Sequence, residues 1–542
     1  MFHLLPGTPS IPAKFNNPFR YSPHPLVLQA AAIVMEEISQ DNILSEAMAE
    51  GKMLGVLIVR DKDGRIGFLK GFSGNITGKS VINGFVPPIY DLTKPDGYFK
   101  IKEAEISEIN KLIKEIERER LTPAILELKK ANILYEEELA SSKEELAIAK
   151  LSRDKIRKAW DAEGREYFPD LKDLERESQF QKAEMARMKR RWKYRLDELE
   201  GICNGISSEI DTLKKKRASK SDSLQKWIFS QYIVHNILGE EATLDQVFSS
   251  IGATPPGGTG ECAAPKLLEY AFRHGMEPLS MGEFWYGKSP DTAVRTQGVF
   301  YPSCTSKCGP LLKFMLKGLD IISEDAPYSE SQISTVYEDE YLIAASKPSG
   351  MPSVPGLDGK KSLLEILEQK YSGLEAVHRL DMDTSGLILF AKTRQASIYL
   401  KRQFEMQLIR KVYTARLSPS DIGKRLDVMD KGSISLPLAP DYDERPRQKV
   451  DKNQGKESHT EYTVESFEKD GSINIRLFPK TGRTHQLRVH CSHVLGLGHP
   501  IVGDMLYGGK PSGRLHLHAH SITFIHPITS KEITLETSVN TY

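Results

Sequence analysis

The chain has 542 residues, too many for one hydrophobic core, so several domains are expected. Hydrophobic residues at 39% and charged residues at 27% make an ordinary composition, with no run approaching the roughly 20 apolar residues of a membrane helix. The 74 basic and 73 acidic side chains nearly cancel, so any nucleic-acid footprint has to be local.

Met1-Phe2-His3-Leu4-Leu5-Pro6 lacks a charged n-region followed by an apolar h-region. The five cysteines, thinly spread, do not form a disulfide framework and suit a reducing compartment. A cytoplasmic protein is expected.

Residues 1–99 read as a mixed α/β region. Leu26 to Ile38 is apolar-periodic, and Leu54-Gly55-Val56-Leu57-Ile58-Val59 and Ile66-Gly67-Phe68-Leu69 flank a turn rich in Asp and Gly, which predicts a β-hairpin. Residues 100–226 change to Glu, Lys, Arg, Leu and Ile, interrupted by Pro123 and Pro169. Trp192, Leu196, Leu199, Cys203, Ile206, Ile210 and Leu213 alternate in steps of four and three, the seam of a coiled coil or helical hairpin. Gly201 and Gly205 weaken that seam. The basic run Lys189, Arg190, Arg191, Lys193 and Arg195 is read as a solvated helix face rather than an RNA contact. Self-association through this arm is a further expectation.

Residues 227–330 form a Cys-containing region. Cys262, His274, Cys304 and Cys308 carry the donor atoms of a structural zinc site, but their spacing matches no standard finger. No metal is therefore expected, with these four as the candidate ligands.

Residues 331–542 carry the chemistry. Strands are expected at Thr335 to Tyr337, Tyr341 to Ala345, Gly386 to Ala391 and Val412 to Leu417, with a hairpin of Thr460 to Phe467 and Ile473 to Phe478. Helices are expected at Ser362 to Tyr371, Arg394 to Ile409 and Thr484 to Val494. This order argues for an α+β fold, a curved mixed and mostly antiparallel sheet with flanking helices. His378-Arg379-Leu380-Asp381 is a charged turn joined to a buried strand, which plants one carboxylate where sheet gives way to loop. Basic residues cluster at Lys401 and Arg402, Arg410 and Lys411, Lys424 and Arg425, and from Arg445 to Lys456, as a phosphate backbone would require.

Three elements stand out in order: His378-Arg379-Leu380-Asp381-x-x-Thr384-Ser385-Gly386, Arg410-Lys411-Val412-Tyr413-Thr414-Ala415, and Pro479-Lys480-Thr481-Gly482-Arg483-Thr484-His485-Gln486-Leu487-Arg488-Val489-His490. Gly498-His499-Pro500-Ile501-Val502-Gly503-Asp504 and Leu517-His518-Ala519 follow downstream. Over about the last 210 residues the chain resembles the RluA family of RNA pseudouridine synthases, on these linked motifs.

The resemblance implies the pseudouridine-synthase fold and isomerisation of uridine in structured RNA, in tRNA stem-loops or large-subunit rRNA hairpins, without cofactor. It makes Asp381 the catalytic aspartate, Tyr413 the active-site tyrosine and Arg488 the basic partner of the aspartate. Asp383 is not at the catalytic position. A single carboxylate able to act on the sugar or base, and a pocket for the detached ring, are what the bond exchange needs. Arg379 either enters the stack when the target nucleotide flips out or binds phosphate. His378, Thr384, Arg483 and His485 complete the expected substrate-binding set. His516, His518 and His520 alternate on one side of a strand and are read as structural.

The alternative is a catalytically silent RNA-binding or RNA-folding factor; intact Asp381, Tyr413 and Arg488 count against it. The first 330 residues depart from the family pattern and leave the choice of RNA open.

Overall fold

The structure, a computed structural model, describes residues 1–7, 10–163, 171–290, 294–322, 330–356, 360–442 and 444–538. Pro169 lies outside the described residues. The chain clusters into two compact units, one of Lys94–Ile228 and one of Met1–Thr93 with Phe229–Tyr542. Among the described residues no helix is long and apolar enough to cross a membrane.

The Lys94–Ile228 unit is helical. A 42-residue helix, Thr122–Glu163, and a 61-residue helix, Leu171–Gln231, dominate it. Contacts of Glu105 with Lys220, Arg120 with Glu209, Glu138 with Arg191, and Arg153 with Gln181 fall on one chain as they rise on the other, so the pairing is antiparallel. The seam expected from sequence supplies the buried side chains: Ile206 and Ile210 pack on Ile113 and Ile116. Two cations of the basic run are spent on neighbours, Arg191 on Glu138 and Arg195 on Glu198.

In the other unit, the hairpin of Lys52–Arg60 and Ile66–Phe72 forms as expected and lies in a five-stranded antiparallel sheet. Glu277–Tyr286 pairs along the far side of Lys52–Arg60. The stretches read separately as 1–99 and 227–330 thus share one sheet. The helix Pro25–Gln40 buries Val27, Ala30, Val34 and Ile38 on it. The helix Ala263–Arg273 approaches closely at Gly55, where an added Cβ would meet Ala263 Cβ and Leu267 Cδ1, each at 2.9 Å.

Of the four candidate zinc ligands, Cys262, Cys304 and Cys308 lie near one another and His274 does not join them. Cys262 precedes that helix and its thiol hydrogen-bonds Cys308, with Cys304 close enough to act on it electrostatically. His274 caps the opposite end, one helix length or ~16 Å away. Its Nδ1 lies 2.7 Å from the Tyr270 carbonyl and its ring stacks on Tyr270. Among the described residues no group of three His, Cys, Asp or Glu side chains is placed to hold a metal ion.

The C-terminal part is built on a ten-stranded sheet, mixed and mostly antiparallel. From one edge it runs Lys431–Ser435, His459–Phe467, Ile473–Pro479, Arg410–Leu417, Leu517–Ile525, Ser385–Ala391, Leu342–Lys347 and Ser334–Glu338, with Glu375–Ala376 added on Ser385–Ala391 and Glu532–Glu536 on Leu517–Ile525. The parallel pairing joins Ser385–Ala391 to Leu517–Ile525 at Gly386 and Ala519. All seven residues of Ser385–Ala391 are buried, as a run with no polar alternation requires. Arg394–Glu405 packs Ala396 and Leu400 on one face of this strand. Leu363–Glu368 covers the other, started by a capping box in which Ser362 and Glu365 satisfy each other's backbone N–H.

Gly386 is the hinge of this arrangement. Its φ of +112° is open to glycine, and an added Cβ would fall 2.3 Å from the Ala519 carbonyl oxygen. Gly386→Ala is expected to lower stability by roughly 3 kcal/mol, from backbone strain and forced separation of the parallel pair. Denaturant unfolding measures it, and a loss below about 0.5 kcal/mol would show that the strands separate freely.

Candidate active site

Asp381 sits in a turn closed by the Thr384 N–H on the Asp381 carbonyl at 3.1 Å. The segment from Lys347 to Ser353 clamps this turn. Ser353 Oγ accepts from Leu380 N–H at 3.0 Å and donates to Leu380 O at 2.9 Å. Gly350 N–H donates to Met382 O, and Ser349 Oγ to Asp383 O. Lys347, 1% exposed, donates to the carbonyls of Pro348, Met351 and Met382 at 3.0, 2.7 and 2.8 Å. The backbone around the carboxylate is therefore fixed by hydrogen bonds on both sides of it.

The Asp381 side chain opens on a small cleft shared with Arg379, Thr384, Lys411, Tyr413, Arg483 and Gln486. Tyr413 lies on Arg410–Leu417 at a β-bulge between Val412 and Tyr413, an irregularity that re-aims a side chain. Arg379 is exposed, with Nη2 3.4 Å from Thr484 Oγ1. Arg483 is exposed and anchored by Nε on Glu457 O at 3.1 Å. Gln486 accepts from Arg483 N–H and Thr481 Oγ1, fixing the loop before the helix Gln486–Ser492. That helix starts two residues later than the sequence suggests because His485 is left-handed, φ +53°. This conformation turns the His485 backbone N–H onto the Asp381 carboxylate.

Burial raises the pKa of Asp381, and Arg488, Arg379, Lys347 and the His485 N–H oppose it in that order. Burial, with the Asp381 charge nearby, pushes the Tyr413 hydroxyl upward, so it stays protonated at neutral pH. Burial brings Lys411 down to about 8 and Lys347 to about 7.

Two sequence expectations change here. Arg488 acts on Asp381 at a distance, but its hydrogen-bonded partner is Asp504, at 2.8 and 2.7 Å from Nε and Nη2, with both side chains buried. Asp504 takes the Nε–Nη2 edge of the guanidinium, and the charge of Arg488 still favours the ionised Asp381. His378 does not face the cleft. Its Nε2 accepts the Leu389 N–H at 3.0 Å, its ring lies 4.6 Å from Phe404, and burial brings its pKa to about 3. It is a neutral strut between turn and strand.

The His485 side chain is likewise turned to Tyr507, with Nδ1 and Oη 2.9 Å apart, so its backbone and not its ring serves the site. Thr384 is buried beneath the turn. The alternating histidines have separate partners, His518 in Ser385, His520 in the Thr537 carbonyl and His516 in Ser512. Lys347, Gln486 and Asp504 were missed by sequence reasoning. Asp504 stood in a quoted motif without a role, and Lys347 in a Lys-Pro-Ser-Gly string ending a strand.

Residues 341–493 match the family model of RNA pseudouridylate synthases. The dual-specificity RNA pseudouridine synthase RluA of Vibrio cholerae is 43% identical over 214 residues, 38% of this chain and 82% of that protein. The protein of the same name from Escherichia coli K12 is 39% identical over 220 residues, 39% of this chain and 94% of that protein. The chain belongs to the RluA family of RNA pseudouridine synthases. It is thus an isomerase of uridine in RNA, with the pseudouridine-synthase fold in its C-terminal part, and a silent binding factor is not favoured. The rest of the chain is an extension to the family's shared domain.

Two outcomes follow from this site. Lys347→Met would leave the Pro348 and Met351 carbonyls without this donor, Met382 keeping the Gly350 N–H, and lower stability by roughly 2–3 kcal/mol. It would also lower kcat by loosening the Met382 side of the turn; unfolding and turnover measured together check both.

Because the folded pKa of Asp381 lies above its unfolded value, the stability it contributes is present below the unfolded pKa and lost as pH rises through the folded one. Asp381→Asn, which cannot ionise, is therefore expected to melt higher than wild type at pH 7, with the gap closing as pH falls. An unchanged or lower Tm at pH 7 would contradict this electrostatic account.

Proposed function

We propose that the catalytic group is Asp381 and that the target uridine flips into the cleft beside Tyr413. In the overall exchange the N1–C1′ glycosidic bond breaks and a C5–C1′ bond forms. The proton on C5 is lost and N1 gains one, so composition is unchanged. The ionised Asp381 carboxylate acts on the sugar or the base while the cleft retains the detached ring. Tyr413, neutral because it is buried beside that carboxylate, offers a ring face for stacking and a hydroxyl for hydrogen bonding.

Arg379, exposed at the mouth, takes the place of the flipped base in the stack, offsetting part of the unstacking cost. Arg483 binds phosphate beside it, and Thr384 supports the turn from below. Arg488, held by Asp504, contributes a fixed positive field that favours the ionised aspartate. The observation that carries this reading is the convergence of Asp381, Tyr413 and Arg379 on one cleft in a chain of this family.

The substrates we infer are tRNA stem-loops and large-subunit rRNA hairpins in the cytoplasm, a reading supported by relatives named dual-specificity RNA pseudouridine synthases. Residues 1–99 and 227–330, joined in one sheet, act together beside the catalytic domain of 331–542, and the helical arm of 100–226 serves self-association.

The test is to incubate the purified protein with cellular tRNA and rRNA and map new pseudouridines. Wild type should create discrete sites and Asp381→Ala none. Equal modification by Asp381→Ala, or no site with wild type, would overturn the assignment. The acid limb of kcat/KM should lie above the ordinary carboxylate value of about 3.9. It should move to higher pH in Arg379→Met, which removes a cation that lowers the Asp381 pKa.

A further inference from the structure

Behind the turn that carries Asp381 lies a second, larger cavity of about 830 Å³, walled jointly by the N-terminal extension and the catalytic domain. Met382 and Asp383 reach it from the turn; Asp383 faces Arg20 of the extension at 3.9 Å. Arg488, whose charge acts on Asp381, also lines the cavity.

Its charged wall is formed where the catalytic-domain loop bearing Glu444 and Arg447 meets Val294, Arg295 and Tyr301. Arg295 and Arg447 are only 5% and 4% exposed. Arg295 Nη2 donates to the Glu444 carboxylate, and its guanidinium stacks over Tyr301 at 4.3 Å. Arg447 Nη2 donates to Val294 O at 3.1 Å and stacks over Tyr507 at 5.2 Å.

Two buried guanidiniums thus share one carboxylate. Arg295 Nη1 and Arg447 Nε, both inaccessible to bulk water, have no hydrogen-bond partner among the described residues. Arg447 Nε lies 3.6 Å from Glu444, an ion pair too long for a hydrogen bond. Burial and mutual repulsion pull the Arg295 pKa down to about 10, against its ordinary value. On the same wall burial pushes Glu283 and Glu261 upward, and Glu283 and Asp441 also act on Arg295 through space.

Buried polar groups of native proteins are nearly always bonded, and a buried unpaired cation is costly. Both guanidiniums line the cavity, so an anion bound there offsets their uncompensated charge. Two planar donors suit the tetrahedral oxygens of a phosphate. Phe19, Met505 and Leu506 add an apolar surface, and the volume is that of a small-ligand site.

We propose that this cavity is a second ligand site, separate from the uracil cleft, which takes the phosphate of a nucleotide unit on Arg295 and Arg447. The phosphate comes either from a free nucleotide or from the RNA strand adjoining the target uridine, and the two sources share this chemistry.

The experiment titrates the full-length protein with 5′-AMP, which has no uracil for the Asp381 cleft, and with a hairpin RNA, in wild type, Arg295→Met and Glu444→Gln. Arg295→Met is expected to weaken phosphate-dependent binding by about tenfold or more. Glu444→Gln removes the competing carboxylate and strengthens it several-fold. Saturable 5′-AMP binding that follows this order, with RNA KM unchanged, assigns a free nucleotide. No 5′-AMP binding, but an RNA KM that rises in Arg295→Met and falls in Glu444→Gln with kcat retained, assigns the RNA phosphate.

The proposal fails if neither probe distinguishes the three proteins. If Arg295→Met does not fold, Glu444→Gln alone decides, and failure to strengthen either interaction overturns it.

Discussion

The site depends on keeping one carboxylate in a poorly solvated place without letting it become an inert acid. Burial pulls Asp381 toward the neutral form, and two guanidiniums, one ammonium and a backbone N–H pull the other way. The balance holds only if the carboxylate cannot swing away from them. Side-chain rotation alone would not ensure this, because aspartate has few bonds to restrain. The restraint comes from the backbone: Ser353, Gly350, Ser349 and Lys347 take up the polar groups of Leu380, Met382 and Asp383. The turn is therefore a rigid part of the sheet edge, which is the preorganisation a reactive group requires.

The Arg488–Asp504 pair explains how a guanidinium can influence Asp381 without neutralising it. A direct bidentate bond between Arg488 and Asp381 would occupy the carboxylate oxygens and lower their reactivity. With Asp504 holding the guanidinium, and Tyr507 stacked 5.3 Å from it, the charge is fixed in place and felt through space. Asp504 thereby sets where the charge of Arg488 sits relative to Asp381.

What was readable from the chain divides along the range of the interactions involved. Hairpins such as Lys52–Arg60 with Ile66–Phe72, and the buried strand Ser385–Ala391, announce themselves through local alternation, apolar runs and turn residues. Asp381, Tyr413 and Arg379 stand in linked motifs and do meet in one cleft. What was lost is set by partners distant in sequence. His378 is a strut because Leu389 offers it an N–H, and Arg488 turns to Asp504, 16 positions further on. Two of the four candidate zinc ligands, Cys262 and His274, are held a helix length apart by Ala263–Arg273, a separation that spacing alone does not reveal. The late start of Gln486–Ser492 reflects the backbone of His485, bent against residue preference to serve the carboxylate.

The extension is more than a tethered module, since its sheet-bearing part shares a core with the catalytic domain. Val294 packs in one cluster with Leu417, Leu477 and Tyr507, and Thr305 donates to the Arg445 carbonyl at 2.9 Å. Buried contacts of this kind cost conformational freedom on both sides and do not persist in a loosely hinged linker. Residues far upstream of Asp381 in sequence thereby become fixed walls near the site, Arg20 against Asp383 and Arg295 against Glu444. The position of the turn is thus set from two directions, by Ser349 to Ser353 within the catalytic domain and by Arg20 from the extension.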